Sequence, residues 1–151
     1  MLTFHCFKFH DLSLDQLYDL MTLRQEVFIV EQNCPYLDND GKDQESYHVL
    51  GIDNRGKLQA CTRLVPPGIS YPNYSSIGRV ATSAELRGKR QGSPLMQYSI
   101  DRCIEHWPSH SIKISAQTYI VKYYNNLGFK ETGNEYLEDD IPHIAMIRKK
   151  D

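Results

Sequence analysis

The chain has 151 residues, of which 40% are hydrophobic and 24% charged, ordinary proportions for a globular protein long enough to bury one core. Its formal net charge of −2 gives no global electrostatic case for nucleic acid, and no apolar run approaches the ~20 residues that a membrane helix needs. Four scattered cysteines, Cys6, Cys34, Cys61 and Cys103, form no CxxC pair, which argues against a disulfide framework or zinc site and for reduced thiols in the cytoplasm.

The first ten residues lack the basic start and continuous apolar core of a signal peptide. Phe4 to Phe9 is instead predicted to be a strand. Ser13 is a good helix N-cap with Gln16 as its capping-box partner. Leu14, Leu17, Met21 and Phe28 follow at helical spacing, and the helix fades near Glu31, before Pro35 disfavours it. Tyr36 to Glu45 is polar and turn-like. Tyr47–Asp53 and Leu58–Val65 read as a hairpin about Asn54-Arg55-Gly56. Ile77–Thr82 is the next strand, and a helix runs from about Ser93 to Trp107, where Pro108 ends it. Ile112–Ala116 is a short buried strand. A further helix ends at Leu127, with Gly128 suited to the left-handed C′ position. Phe129–Thr132 and His143–Arg148 close the chain. No repeat or linker interrupts this order, so one mixed α/β domain over residues 1–151 is expected, without clean Rossmann alternation.

The stretch Arg87-Gly88-Lys89-Arg90-Gln91-Gly92 follows a strand and opens a helix. The first backbone N–H groups of a helix lack intrahelical partners, and the helix dipole adds positive potential, so such a place suits a pyrophosphate. Gly88 and Gly92 permit close backbone approach, and three cations add charge. Alone, a basic glycine-containing turn more often only caps a helix; its strand–turn–helix context raises its specificity. No P-loop sequence is present.

This stretch, with Gln117 to Phe129, resembles the acetyl-coenzyme A site of the GNAT N-acyltransferases. Arg87 and Gly92 match the ends of the pattern Q/R-x-x-G-x-G/A, and Arg90 stands in place of its central glycine. Further segments resemble the ElaA-type branch of that family over nearly the whole chain: Arg24 to Tyr36, Asp38 to Gly41, Pro66-Pro67-Gly68, Ile77 to Val80, Ala116-Gln117 and Ile141-Pro142-His143. Asp140 stands where that branch usually has glycine. The resemblance implies a mixed central sheet flanked by helices, acetyl-coenzyme A as donor, and direct transfer to a primary amine in a ternary complex. It implies coenzyme contacts from the splayed strand Val80, Ala81 and Thr82, from Arg87, Gly88, Lys89, Arg90, Gln91, Gly92 and Ser93, and from Gln117 and Tyr124. Tyr124, four residues before Gly128, matches the tyrosine that protonates the departing thiolate. Its neighbour Tyr123 faces another direction on a helix and is the weaker candidate.

An amine must be neutral to attack, so a base is needed. Glu31, His48 and His143 are the candidates; His143 is best placed, because it follows an acidic turn and opens a strand, and an imidazole titrates near neutrality. Arg24, Arg63 and Arg79 either bind an acceptor carboxylate or pair with the many acidic residues. Asp38, Asp40, Asp43 and Glu138 to Asp140 would favour a cationic amine if they ring the pocket. Asp38-Asn39-Asp40-Gly41 mimics part of a calcium loop, but tyrosines fall at both ligating ends, so calcium is not expected. No histidine pair has i, i+4 spacing, and no metal is expected. The partner is a small-molecule or peptide amine; oligomeric state is left open. The rival reading is a non-catalytic coenzyme-A-binding or scaffold protein.

Overall fold

The computed structural model describes residues 1–151. Its elements follow the expected order: β1 (Thr3–Lys8), α1 (Leu14–Gln25), β2 (Tyr47–Ile52), β3 (Leu58–Val65), β4 (Ser76–Thr82), α2 (Gly92–His106), β5 (Ile112–Gln117), α3 (Val121–Asn126), β6 (Lys130–Glu138) and β7 (Ile141–Arg148). The capping box forms: Gln16 N–H donates to Ser13 Oγ at 3.0 Å and Ser13 N–H to Gln16 Oε1 at 2.9 Å. α1 runs on into a single π turn, Glu26–Val30, closed by Glu31 N–H to the Glu26 carbonyl at 2.9 Å.

The strands form two antiparallel sheets, ordered β1-β2-β3-β4 and β5-β7-β6. The expected mixed central sheet is thus divided. Its parallel element is one bridge, Ser75 to Ile112, held by Ser75 N–H to the Ser111 carbonyl at 3.1 Å and Lys113 N–H to the Ser75 carbonyl at 2.9 Å.

Beyond that bridge no ladder joins β4 to β5, and β4 is irregular in its pairing with β3. Cys61 pairs with Ala81 but Arg63 pairs with Gly78, so Arg79 and Val80 together oppose Thr62. This is a β-bulge, which leaves a residue unpaired and strengthens local twist. Arg79 takes φ +48°, a left-handed conformation that costs a non-glycine residue roughly 1–2 kcal/mol.

The main core lies between the sheets and α2, where Leu95, Met96 and Ile100 meet Ile77, Ile114, Phe129 and Met146. On the opposite face of the first sheet, Leu20 and Leu23 of α1 pack on Leu50, Leu58, Cys61 and Ala81; each such buried leucine contributes about 1.5–3 kcal/mol. No helix is long and apolar enough to cross a membrane.

Candidate active site

The cleft between β4 and β5 ends at the turn before α2. There the N–H groups of Gly88, Arg90, Gln91, Gly92 and Ser93 donate to nothing within the protein. Thr82, Leu86, Arg87, Gly88, Arg90, Gln91 and Gly92 line a cavity of about 300 Å³ beside them. A Cβ on Gly92 would meet only the Tyr123 hydroxyl, at 3.7 Å, so the fold does not demand glycine there; a side chain would instead occupy the space before the free donors. Arg90 takes φ +57°, the conformation that a glycine would adopt without strain. Arg87 donates to the Thr82 carbonyl at 3.1 Å and pairs with Glu31, so one expected coenzyme residue and one expected acceptor residue hold each other. This cradle fits a pyrophosphate: it has free donors, positive charge and room.

α3 carries two adjacent tyrosines, of which Tyr123 reaches the cradle at Gly92. Tyr124 packs edge-on against Tyr123 and Phe129, with ring centroids 5.2 and 5.9 Å away. Burial, and then the neighbouring Tyr123 and Tyr119, push its phenol up to about 12, so it stays protonated throughout the physiological range. Tyr123 is also held protonated by burial, and its hydroxyl lies 3.7 Å from the Cβ position of Gly92 at the start of α2. Sequence spacing set Tyr123 aside; its proximity to Gly92 makes it part of the cradle wall.

Val80 packs against the main core and Ala81 against the α1 side. Along Val80–Thr82 only the β3 edge is paired, which leaves the opposite backbone edge facing the cleft.

Across the β4 bulge lies a lattice of charges. Arg24, 1% exposed, donates from Nε to Asp38 and from Nη1 to Asp43, both at 2.8 Å. Arg63 donates to Asp40 at 2.8 Å and Asp43 at 3.2 Å, its buried Nε finding no partner. Arg79 donates to the Asp38 carboxylate at 2.8 Å and the Asp38 carbonyl at 2.9 Å. His48, 1% exposed, donates from Nε2 to the Asp43 carbonyl at 2.9 Å. Burial, with the nearby Arg24 and Arg63 charges, lowers its pKa and keeps it neutral. Burial alone would raise the Asp43 carboxyl, but hydrogen bonds and charge from Arg24, then Arg63, hold it below the usual range. The open choice for the arginines therefore falls to pairing. Arg24, His48 and Arg63 are sealed from any acceptor; this corrects their assignment as substrate-binding residues, while Arg79 is 23% exposed. The Asp38–Gly41 segment serves the arginines, and no group of three or more His, Cys, Asp or Glu is set to hold a metal ion.

The second sheet keeps one face away from α2. Strand alternation puts Ser115 and Gln117 of β5 on that face. Pairing adds His143, opposite both Gln117 and Tyr136, so the Gln117 side chain shares the imidazole's side. His143 is 6% exposed. Its Nδ1 lies 2.7 Å from the Ile141 carbonyl. A carbonyl only accepts, so Nδ1 carries a proton, which makes Nε2 the lone-pair nitrogen of the neutral ring. Nε2 faces Glu138 Oε2 at 3.4 Å, and the Tyr136 ring stacks on the imidazole with centroids 6.2 Å apart. Tyr136 hydrogen-bonds Ser115, and Ser115 Oγ reaches Glu138 at 3.5 Å. Asp139 and Asp140 form the two-residue hairpin turn with φ +52° and +61°, the pairing of signs a type I′ turn needs. Tyr136 was missed as a site residue because β6 was expected to stop at Thr132, and Glu138 was expected only as one of the acidic residues that would favour a cationic amine; alternation from Ser115 and His143 would have pointed to this face.

A family model described as the acetyltransferase (GNAT) domain matches residues 27–150. The ElaA protein of Escherichia coli is 40% identical over 141 residues, covering 92% of this chain and 91% of its own. Its crystal structure superposes with a TM-score of 0.90 at 38% identity, over 99% of this chain and all (100%) of that one. An acyl-CoA N-acyltransferase from Pseudomonas aeruginosa superposes with a TM-score of 0.92 at 38% identity, over 99% and 100%. The charged lattice, split sheet and free-amide cradle thus sit in a known architecture, and the chain belongs to the GNAT acyltransferase family, in its ElaA-like branch.

Proposed function

We propose that this chain transfers an acetyl group from acetyl-coenzyme A to a primary amine by direct attack in a ternary complex, as one domain over residues 1–151. The observation that carries the reading is the set of unpartnered N–H groups at the turn into α2, which follows the end of β4 where that strand has no ladder to β5. The coenzyme supplies an activated thioester. The N–H groups of Gly88 and Arg90 to Ser93 hold its pyrophosphate, with Lys89 and Arg87 adding charge, and the Val80–Thr82 backbone edge aligns its arm. Gln117 borders the arm at the β5 end. His143 takes the amine's proton on Nε2, and Tyr124 gives one to the leaving sulfur. The four cysteines are free, which supports a cytoplasmic setting.

Calorimetric titration with acetyl-coenzyme A, followed by thiol release in the presence of pooled primary amines, tests this reading. Binding and amine-dependent release are expected. Binding without release from any amine would replace it with the non-catalytic module. Gly92→Val should fold normally, since its Cβ meets only the Tyr123 hydroxyl at ordinary van der Waals distance, yet lose about 10²-fold or more in coenzyme affinity, equivalent to ~2.7 kcal/mol. Unchanged affinity in the folded variant moves the pyrophosphate elsewhere.

His143→Gln tests the base. The groups facing His143 are Glu138 and Tyr136 of β6, with Gln117 on β5. The expected result is a fall of ~10²-fold in turnover, the lower end for general-base catalysis, with loss of the acidic limb of the rate–pH profile and preserved coenzyme binding. An identical rate and profile would leave His143 structural.

A further inference from the structure

The open face of the second sheet holds an unusual juxtaposition. His143 is more than nine-tenths buried, and its Nδ1 proton is committed to Ile141. Its Nε2 lone pair points at the Glu138 carboxylate, 3.4 Å away. With the imidazole neutral, two acceptors face each other with no proton between them, and either a proton on Nε2 or a bridging group that carries N–H donors removes the repulsion. Ser115 and the Tyr136 hydroxyl, already hydrogen-bonded to each other, stand next to Glu138. The Tyr71 phenol is kept protonated by burial and then by the nearby Tyr136 and Glu138, and the Lys113 ammonium lies over the Tyr71 ring, 4.8 Å from its centroid. Tyr136 and Ile141, each 40% exposed, add apolar surface on the same face.

We propose that Glu138, His143 and Tyr136 form a recognition subsite for a primary alkylammonium group, so that the acceptor is a cationic primary amine on an alkyl chain. The inference rests on the acetyl-transfer reading above. A primary ammonium has three N–H donors: one satisfies Glu138, one satisfies Nε2, and one is left for the Ser115–Tyr136 pair. A hydroxyl brings a single donor. A guanidinium brings donors but does not give up a proton near neutrality, and a quaternary ammonium has none. Glu138 then acts as the specificity-determining group, since its charge is matched only by a cation.

The proton balance follows from the same geometry. The ammonium passes its first proton to His143 Nε2, and the new imidazolium is stabilised by the facing Glu138 carboxylate. The freed nitrogen lone pair forms the C–N bond to the acetyl carbon as the C–S bond breaks. The sulfur takes the Tyr124 proton, and the nitrogen's second proton restores that phenol through solvent. The imidazolium proton leaves to water, so one ammonium and one thioester give one amide, one thiol and one proton.

The test is ligand binding to the coenzyme-A-bound protein above the ordinary imidazole titration range, read by NMR on the His143 ring and assigned by its loss in His143→Gln. Propylamine is the probe, with 1-propanol and tetramethylammonium as comparisons. Propylamine should shift the His143 signals saturably, and the others should bind at least about tenfold more weakly, the scale of one charge-assisted hydrogen bond. Glu138→Gln should weaken propylamine about tenfold, with Glu138→Asp intermediate and coenzyme affinity unchanged in both. Equal binding of propylamine and 1-propanol, no propylamine shift, or wild-type affinity in Glu138→Gln overturns the subsite. Failure of the acetyl-transfer reading would show separately, as absent coenzyme binding or absent thiol release from the wild-type protein.

Discussion

Replacing Tyr124 with phenylalanine is expected to lower acetyl transfer by about 10²–10⁴-fold, the usual span for loss of general-acid help, while coenzyme affinity stays within about twofold, under ~0.5 kcal/mol. The packing argument makes the substitution clean. The ring contacts of Tyr124 are with Tyr123 and Phe129, and phenylalanine keeps both. None of the influences on its phenol is a hydrogen bond, so removing the hydroxyl strands no partner. A phenol raised to about 12 by burial is a poor spontaneous acid but a constant donor. It stabilises a sulfur anion as that charge develops, which is where such a donor lowers the barrier. Tyr123→Phe, by contrast, should act on coenzyme affinity through the place of its hydroxyl beside Gly92. Steady-state rates with acetyl-coenzyme A, compared with an acyl donor whose leaving group needs no proton, separate the two roles. The Tyr124→Phe deficit should shrink with the second donor. Unchanged turnover with acetyl-coenzyme A would remove Tyr124 from the chemistry.

Local signals carried most of the fold into the sequence. The Ser13–Gln16 box, Pro108 after α2 and Gly128 at φ +94° are short-range devices, and each marks an element end on its own. β6 was legible only to Thr132 because all nine of its residues are exposed, which erases the period-2 alternation that marks a half-buried strand, and a register shift between Thr132 and Tyr136 interrupts its pairing. The cradle was legible because its residues are contiguous. The acceptor side was not: Arg24 meets Asp38 and Asp43 across 14 and 19 residues, and Arg79 reaches back 41 residues to Asp38. Composition shows these charges but not which of them cancel. The Asp38-Asn39-Asp40-Gly41 run illustrates the point, since its aspartates were expected to favour a cationic amine if they ringed the pocket, whereas Asp38 and Asp40 pair with Arg24, Arg63 and Arg79. Arg79 is the extreme case. Nothing local favours a left-handed arginine in a strand, and its strain is held by Asp38 and by the Cys61 thiol donating to the Arg79 carbonyl at 3.7 Å.

Arg24→Met should be the most destabilising single change, by about 3–5 kcal/mol, the cost of stripping one partner from a buried ion pair. That is a large part of a stability of roughly 5–15 kcal/mol. Methionine fills much of the volume, so the loss is chiefly electrostatic: Asp38 and Asp43, 6% and 8% exposed in their side chains, would lose the guanidinium that lies between them. The acid dependence distinguishes this from a packing defect. In the wild-type protein the Asp43 and Asp40 carboxyls are held below their ordinary values, against burial, by Arg24 and Arg63. Their contribution is therefore full above the unfolded carboxylate pKa of about 4 and is lost as pH falls through the lower folded values. In Arg24→Met, burial of Asp43 is no longer opposed by Arg24, so its folded pKa moves upward. Protonating it then relieves the variant, and the gap to wild type should narrow below about pH 4. Urea denaturation of both proteins between neutral and acid pH measures the gap. Arg24→Met combined with Asp43→Asn should be less destabilised than the sum of the single changes, because the two residues share one interaction. A penalty below about 1 kcal/mol, or one that stays constant with pH, would mean that solvent reaches these carboxylates and that the lattice does not hold the β4 bulge.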